Sequence, residues 1–385
     1  MLVILRATTA CNLHCRYCSA SCGPQDRRDL TEDDCRLLAK ALPPVLAEGE
    51  SITFLWHGGE PTLLDPALFT SMCDILSGID GHDARFQMQT NGYALNDAWL
   101  EALARFDVGT GISMDGPQPL HDAQRVTAAG GGSHDRVIAN VEAMRQHGLK
   151  PALLCTVREE HMGREEALLD WLEALNLPIR LNPLLRQGRS PGALSAKAYF
   201  TFLRTIFTLA LQRGLKQDIE PLVWMLAAVV TGKPPAECSF SGRCGHTVFS
   251  FGPDTEVGSC NRTQCIYGRL REMPLTALRE TPLWRKRRAR LERLRGHCAD
   301  CTIWRFCHGG CPEALGENPG EDDCAARRAF FAWLENEGLD LYQQALLCRR
   351  DLLRQELRQC REARKLLADA LNGGPAGPEG DADGL

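Results

Sequence analysis

Short apolar runs alternate with longer stretches of helical periodicity over roughly the first half of the chain, the pattern of βαβ units and a parallel sheet. Strands are predicted at Leu2–Leu5, Ile52–His57, Arg85–Thr90, Gly109–Met114, Lys150–Val157 and Ile179–Leu184. Helices are predicted between them, including Thr31–Ala47, Ala67–Ser77, Asn96–Arg105, Asp135–His147 and Glu165–Leu175. Such strand–helix pairs predict an α/β fold, a partial or complete parallel barrel, with its chemistry at the C-terminal strand ends.

After a loop holding Gly188, Pro191 and Gly192, Ser195–Thr231 reads as two helices parted near Gly214. From Cys238 to Cys324 the periodicity fades and Cys, Gly and Arg dominate, as expected where metal rather than an apolar core holds a fold. Ala325–Leu371 reads as helical, and Asn372–Leu385, rich in Gly, Pro and Asp, as a disordered tail. The predicted organisation is an α/β core over 1–190, a helical bridge over 191–236, a cysteine-rich module over 237–325, a C-terminal helical segment over 326–371 and a tail over 372–385.

Composition narrows the classes. Hydrophobic residues make up 44% and charged residues 24%, ordinary globular usage. The run Leu2–Leu5 is followed by Arg6 and lacks the features of a secretory signal. The longest later apolar stretch, Leu222–Val230, falls well short of the roughly 20 residues of a membrane helix. No membrane association is expected. Net charge is −5, and the one basic cluster, with Lys286, Arg287, Arg288 and Arg290, reads as a solvated helix face rather than a nucleic-acid surface. The 18 cysteines stand in metal-ligand spacings in a long chain, which favours bound metal in a reducing, cytoplasmic compartment over disulfides.

Cys11, Cys15 and Cys18 follow the first predicted strand as Cys-x3-Cys-x2-Cys. Three thiolates can hold a [4Fe–4S] cluster with one iron left open, whereas a closed cluster takes four cysteines. The spacing alone also allows zinc, or a closed cluster completed by Cys22.

This trio, with Tyr17 before its last cysteine, resembles the radical S-adenosylmethionine (SAM) superfamily, in which the open iron chelates SAM and one electron yields a 5′-deoxyadenosyl radical. His57-Gly58-Gly59-Glu60-Pro61 looks like the superfamily's motif that meets the SAM amino group. Glycines would let backbone approach the ligand, and a carboxylate suits an ammonium. Gln89 and Asn91 end the third strand, and Ser113, Asp115 and Arg125 follow the fourth. These are similar to the sulfatase-maturase and peptide-maturase branch, where a serine and an arginine bind the SAM carboxylate, here Ser113 and Arg125.

Cys298-x2-Cys301-x5-Cys307-x3-Cys311, followed by Cys324, resembles the SPASM module of radical SAM enzymes that modify peptides. With Cys238, Cys244 and Cys260 there are eight thiols, enough for two closed [4Fe–4S] clusters, or for zinc. The resemblance implies that Cys238, Cys244, Cys260 and Cys311 hold one cluster and Cys298, Cys301, Cys307 and Cys324 the other, three clusters in all. Of the remaining thiols, Cys22, Cys35, Cys73, Cys155, Cys348 and Cys360 read as core or incidental residues, and Cys265 as a candidate for a role.

In the sulfatase maturases an aspartate follows the third SPASM cysteine and is proposed as the base that forms formylglycine; here the position is Asn261, and an amide is no such base. The catalytic base is therefore unassigned. The leading expectation is an oxidoreductase of ribosomal-peptide maturation (RiPP type) that abstracts hydrogen from a precursor peptide and leaves a crosslink or an oxidised residue. The alternatives are a formylglycine maturase, a maturase of a small cofactor or haem precursor, and a non-catalytic iron–sulfur or zinc scaffold. The implied partners are the precursor peptide and an external electron donor of flavodoxin or ferredoxin type; since the first strand starts at residue 2 with no fused recognition domain expected, peptide recognition is expected from the cleft, from the C-terminal helix or from a separate peptide-recognition protein.

Overall fold

The computed structural model describes residues 1–22, 27–190, 192–235, 238–242, 244–262, 265–316 and 318–345. Cys348, Cys360, most of the predicted C-terminal helical segment and the predicted tail lie outside the described residues, as does the side chain of Cys238.

Ten strands form one sheet: β1 (Leu2–Thr8), β2 (Ile52–Gly58), β3 (Ala84–Thr90), β4 (Gly109–Ser113), β5 (Ala152–Val157), β6 (Ile179–Pro183), β7 (Ile219–Glu220), β8 (Val248–Gly252), β9 (Glu256–Gly258) and β10 (Ile266–Arg269). Their order is β10-β9-β8-β1-β2-β3-β4-β5-β6-β7. From β8 through β1 to β7 all neighbours are parallel, and the β8–β9 and β9–β10 pairings are antiparallel. All six predicted strands are present. The helices that follow β1, β2, β3, β4 and β5 include Glu32–Ala41, Pro66–Ser77, Asp97–Arg105, His134–Gln146 and Glu165–Leu175. Their starts are set locally: Thr31 and Asp34 form a capping box, and Asp65 and Asn96 each cap with a side-chain oxygen.

Strand alternation sorts the two faces. Val3, Leu5, Ile52, Phe54 and Trp56 are fully buried under the helices. The intervening Ile4, Arg6, Leu55, His57, Gln87 and Gln89 line a cavity of about 1100 Å³ on the concave side. The concave side is thus an open cavity of mixed polar and apolar lining rather than a packed core.

The cysteine-rich segment joins the sheet of the α/β core and is packed with apolar residues. It contributes β8–β10 to the main sheet, with β8 lying directly beside β1 from Leu2↔Val248 to Leu5↔Phe251. It also adds apolar residues to the molecule's hydrophobic core: Tyr267 stacks on Trp284 at 4.4 Å between ring centroids, and Phe306 stacks at 5.0 Å on Phe331 of the helix Glu321–Trp333. Apolar residues too short in run to show a period nonetheless pack there. The predicted bridge is present as helices Ala196–Arg213 and Leu222–Thr231, with β7 between them.

The basic cluster is likewise only partly solvated. Arg285 and Arg288 pair with Glu280, and Arg287 pairs with the half-buried Glu313. Arg290 is buried and donates to the carbonyls of Gly309, Gly310 and Gly316 at 3.0–3.1 Å, bracing the loop that carries Cys311. Those inward carbonyls need donors, which is why these arginines turn in. Among the described residues no helix is long and apolar enough to cross a membrane.

Candidate active site

The loop after β1 carries Cys11, Cys15 and Cys18 and is clamped from three sides. Gly59 and Glu60 donate their N–H groups to the carbonyls of Thr8 and Ala10 at 2.8 Å. His14 and Arg16 donate to the carbonyls of Val126 and Gln124, and Arg189 to that of Cys18. A Cβ on Gly59 would lie 1.8 Å from the Ala10 carbonyl oxygen, and Gly58 has φ +116°. The two glycines are thus required by the backbone just ahead of Cys11, a constraint distinct from close approach to a ligand.

Glu60 is buried, and its carboxylate is held by Thr62 of its own loop and by the end of β3. Oε1 accepts from Thr62 N at 3.1 Å, Thr62 Oγ1 at 2.8 Å and Thr90 Oγ1 at 2.6 Å, and Oε2 accepts from Asn91 N at 2.7 Å. Burial raises its pKa against those hydrogen bonds. The observed role of the side chain is to join the ends of β2 and β3. Asn91 turns the other way, Nδ2 donating to Asn12 Oδ1 at 2.7 Å beside Cys11 Sγ at 3.8 Å. Gln89 Nε2 donates to Ser113 Oγ at 2.9 Å on the cavity wall.

Asp115 is the hub of the site. It is fully buried; Oδ2 accepts from the Tyr17 phenol at 2.5 Å and from Arg158 Nη1 at 2.9 Å, and Oδ1 from Thr156 N at 3.1 Å and Arg125 Nη2 at 3.3 Å. Burial alone would raise its pKa, but the Arg125 and Arg158 guanidiniums hold it well below the usual carboxylate range. Both guanidiniums also stand near the Tyr17 ring, 5.4 and 5.3 Å from its centroid. Arg158, from the loop after β5, was not among the sequence candidates.

The two cysteine regions share one space. Cys11, Cys15 and Cys18 line the large cavity together with Cys244, Cys260 and Cys311. Cys298, Cys301, Cys307 and Cys324 instead surround a separate small cavity. Burial first, with the nearby Glu60 charge, pushes the Cys11 thiol up to about 12, and burial pushes Cys260 up to about 12. Such thiols ionise readily only against a metal, so the donor chemistry fits iron or another thiophilic metal. Among the described residues no three His, Cys, Asp or Glu side chains converge as the ligands of a single ion. Cys22 also lines the cavity, beside Cys18, whose pKa a hydrogen bond from Cys22 lowers to about 5.

Asn261, next to Cys260, reaches across to β2: its side-chain amide lies 2.8 Å from His57 Nε2. His57 Nδ1 accepts the Gly58 N–H at 2.8 Å, and its Nε2 faces the Asn261 amide nitrogen. Burial, helped by Arg262, pushes the His57 pKa down to about 4.

Residues 5–173 match the profile of the Radical SAM superfamily. That segment is a radical SAM domain. The chain is 26% identical over 337 residues to a serine-type anaerobic sulfatase-maturating enzyme of Klebsiella aerogenes, covering 84% of this chain and 82% of that one. A cysteine-type enzyme of Clostridium perfringens is 24% identical over 332 residues, 80% of this chain and 88% of that one. Among solved structures, native anSMEcpe with bound AdoMet superposes with a TM-score of 0.76 at 20% identity, over 89% of this chain and 98% of that one. Streptococcus suis SuiB bound to precursor peptide SuiA gives 0.62 at 15%, over 83% and 75%. These two likenesses are of fold.

A radical SAM domain brings S-adenosylmethionine and a [4Fe–4S] cluster, and this radical SAM enzyme has residues that fit both. The thiol trio faces the cavity, and two buried guanidiniums share the single carboxylate of Asp115. That cationic excess, at a cavity wall reached by Arg125, suits an anionic group.

Proposed function

We propose that this radical SAM enzyme is a maturase that oxidises a residue of a peptide, its product being a crosslink or another doubly oxidised residue. The observation that carries the reading is the single cavity lined both by Cys11, Cys15 and Cys18 and by Cys244, Cys260 and Cys311. Its volume of about 1100 Å³ exceeds what a cofactor alone needs and leaves room for a substrate segment. Cys11, Cys15 and Cys18 would hold the cluster with an open iron, and Ser113 and Arg125 the carboxylate of SAM; Gln89 and Asn91 complete that wall. Bound there, the cofactor supplies a 5′-deoxyadenosyl radical for hydrogen abstraction. Cys238, Cys244, Cys260 and Cys311 would hold a second cluster, and Cys298, Cys301, Cys307 and Cys324 a third. The second, on the cavity wall, would take the electron left on the substrate, and a soluble flavodoxin- or ferredoxin-type donor would serve the first.

Formylglycine formation is the second reading, favoured by the sulfatase-maturating relatives that align with most of the chain. Against it stands the Asn261–His57 pair, a neutral amide and a neutral imidazole at the position where that chemistry calls for a carboxylate.

Anaerobically reconstituted, reduced protein should convert SAM to 5′-deoxyadenosine; if it does not, the radical reading fails. Mass spectrometry of small peptides encoded near this gene, after co-expression, should show loss of two hydrogens from one of them. A serine-containing sulfatase peptide that instead becomes reactive to a hydrazide, as an aldehyde would, decides for formylglycine.

A further inference from the structure

Asp115 presents two oxygens, with room for about four hydrogen bonds, and all four are taken. The two arginines among its partners are not equivalent. Arg158 holds Oδ2 at 2.9 Å, is 3% exposed, does not line the cavity, and is anchored a second time by donating Nη2 to the Leu120 carbonyl at 3.1 Å. Arg125 makes the longest of the four bonds, at 3.3 Å, and its Nε stands 3.2 Å from Oδ2 outside hydrogen-bonding geometry. It also lines the cavity.

We propose that Arg158 is a positioning residue: by neutralising Asp115 it frees Arg125 to turn from that carboxylate to the carboxylate of SAM. The inference rests on the reading of Arg125 given above. A buried carboxylate stripped of its only cation is strongly unfavourable, so an Arg125 that alone balanced Asp115 could not be shared with a ligand. With Arg158 in place, Tyr17, Thr156 and Arg158 keep Asp115 bonded and paired while Arg125 moves. The same arrangement leaves one buried positive charge in excess, which an entering carboxylate cancels. Glu160, 3.4 Å from Arg158 Nε, is half exposed and its charge is largely screened by water.

The test is equilibrium binding of SAM to the anaerobically reconstituted holoenzyme, by dialysis and by the change in the EPR signal of the reduced cluster. Arg158→Gln should weaken SAM binding roughly tenfold or more, with kcat at saturating SAM changed far less. Arg158→Lys, which keeps the charge beside Asp115, should bind SAM close to the wild-type affinity. The double variant Arg158→Gln/Asp115→Asn should recover affinity relative to Arg158→Gln, because no buried carboxylate then competes for Arg125. A merely structural role for Arg158 predicts no such recovery. An unchanged Kd in Arg158→Gln, a Lys variant as weak as the Gln variant, or a double variant no tighter than Arg158→Gln would each overturn the proposal. Arg125→Gln tests the underlying reading separately: wild-type affinity in that variant removes Arg125 from the SAM site whatever Arg158 does.

Discussion

Tyr17 donates its phenol to Asp115 at 2.5 Å, joining the cysteine loop after β1 to the end of β4 across 98 residues of sequence. The bond lies between Cys15 and Cys18 on one side and the Arg125–Arg158 pair on the other, so it couples the pose of the thiol trio to that of the guanidiniums. Tyr17→Phe keeps the ring under both arginines but takes a donor from a buried carboxylate. It should cost about 1.5–3 kcal/mol in urea unfolding and alter the EPR line shape of the N-terminal cluster.

Glu60→Gln separates a ligand-binding role from a structural one. An amide replaces one oxygen that now accepts an N–H, leaving donor facing donor. The expected outcome is a stability loss of about 2 kcal/mol in chemical denaturation. A variant that unfolds like wild type and fails only in SAM binding would show that the carboxylate meets the cofactor directly.

Gly59→Ala drives a methyl group into the Ala10 carbonyl, 1.8 Å from where its Cβ must stand. The Cys11 end of the loop has to move. Loss of the N-terminal cluster, with the C-terminal iron kept, is expected from iron counting and Mössbauer spectra. Cys11, Cys15 and Cys18 all changed to Ala should likewise abolish SAM cleavage and retain about two-thirds of the iron.

His121 gives a pH prediction. It is fully buried, its Nε2 is 2.9 Å from Ser133 Oγ, and burial, with Arg125 nearby, pushes its pKa down to about 4 from an ordinary 6.5. Between those values the unfolded chain binds a proton that the folded protein does not. Stability from this group is therefore complete above pH 6.5 and falls away as pH drops towards 4. Between pH 7 and pH 5 the loss should be about 2 kcal/mol, and His121→Gln should flatten that part of the stability–pH curve by a similar amount.

Much of the barrel was legible because its strands alternate and its helices carry local caps such as Thr31, Asp65 and Asn96. What was hidden depends on distant partners. Val248–Gly252 is a buried run that could join a sheet only once β1 offered an edge, and its cysteine-rich surroundings masked it. Arg158 sits in Arg-Glu-Glu-His, which reads as a solvated turn until the fold brings Asp115, 43 residues away, beside it. The cysteine trio, Ser113 and Arg125 stand in motifs local in sequence, and all five residues line one cavity. Glu60 lines the cavity, and its side chain also grips Thr62, Thr90 and Asn91, partners that no spacing rule could supply. The Asn261–His57 contact spans 204 residues and was likewise out of reach.

The pairing of β8 with β1 has a consequence for biosynthesis. While the ribosome has yet to deliver Val248, β1 is the open margin of a growing sheet, with a row of main-chain groups available to any other strand. A nascent or truncated chain ending before that point should be prone to aggregate, and the two halves of the sequence cannot be cut apart between the bridge and the cysteine-rich segment without exposing the strand that leads into Cys11.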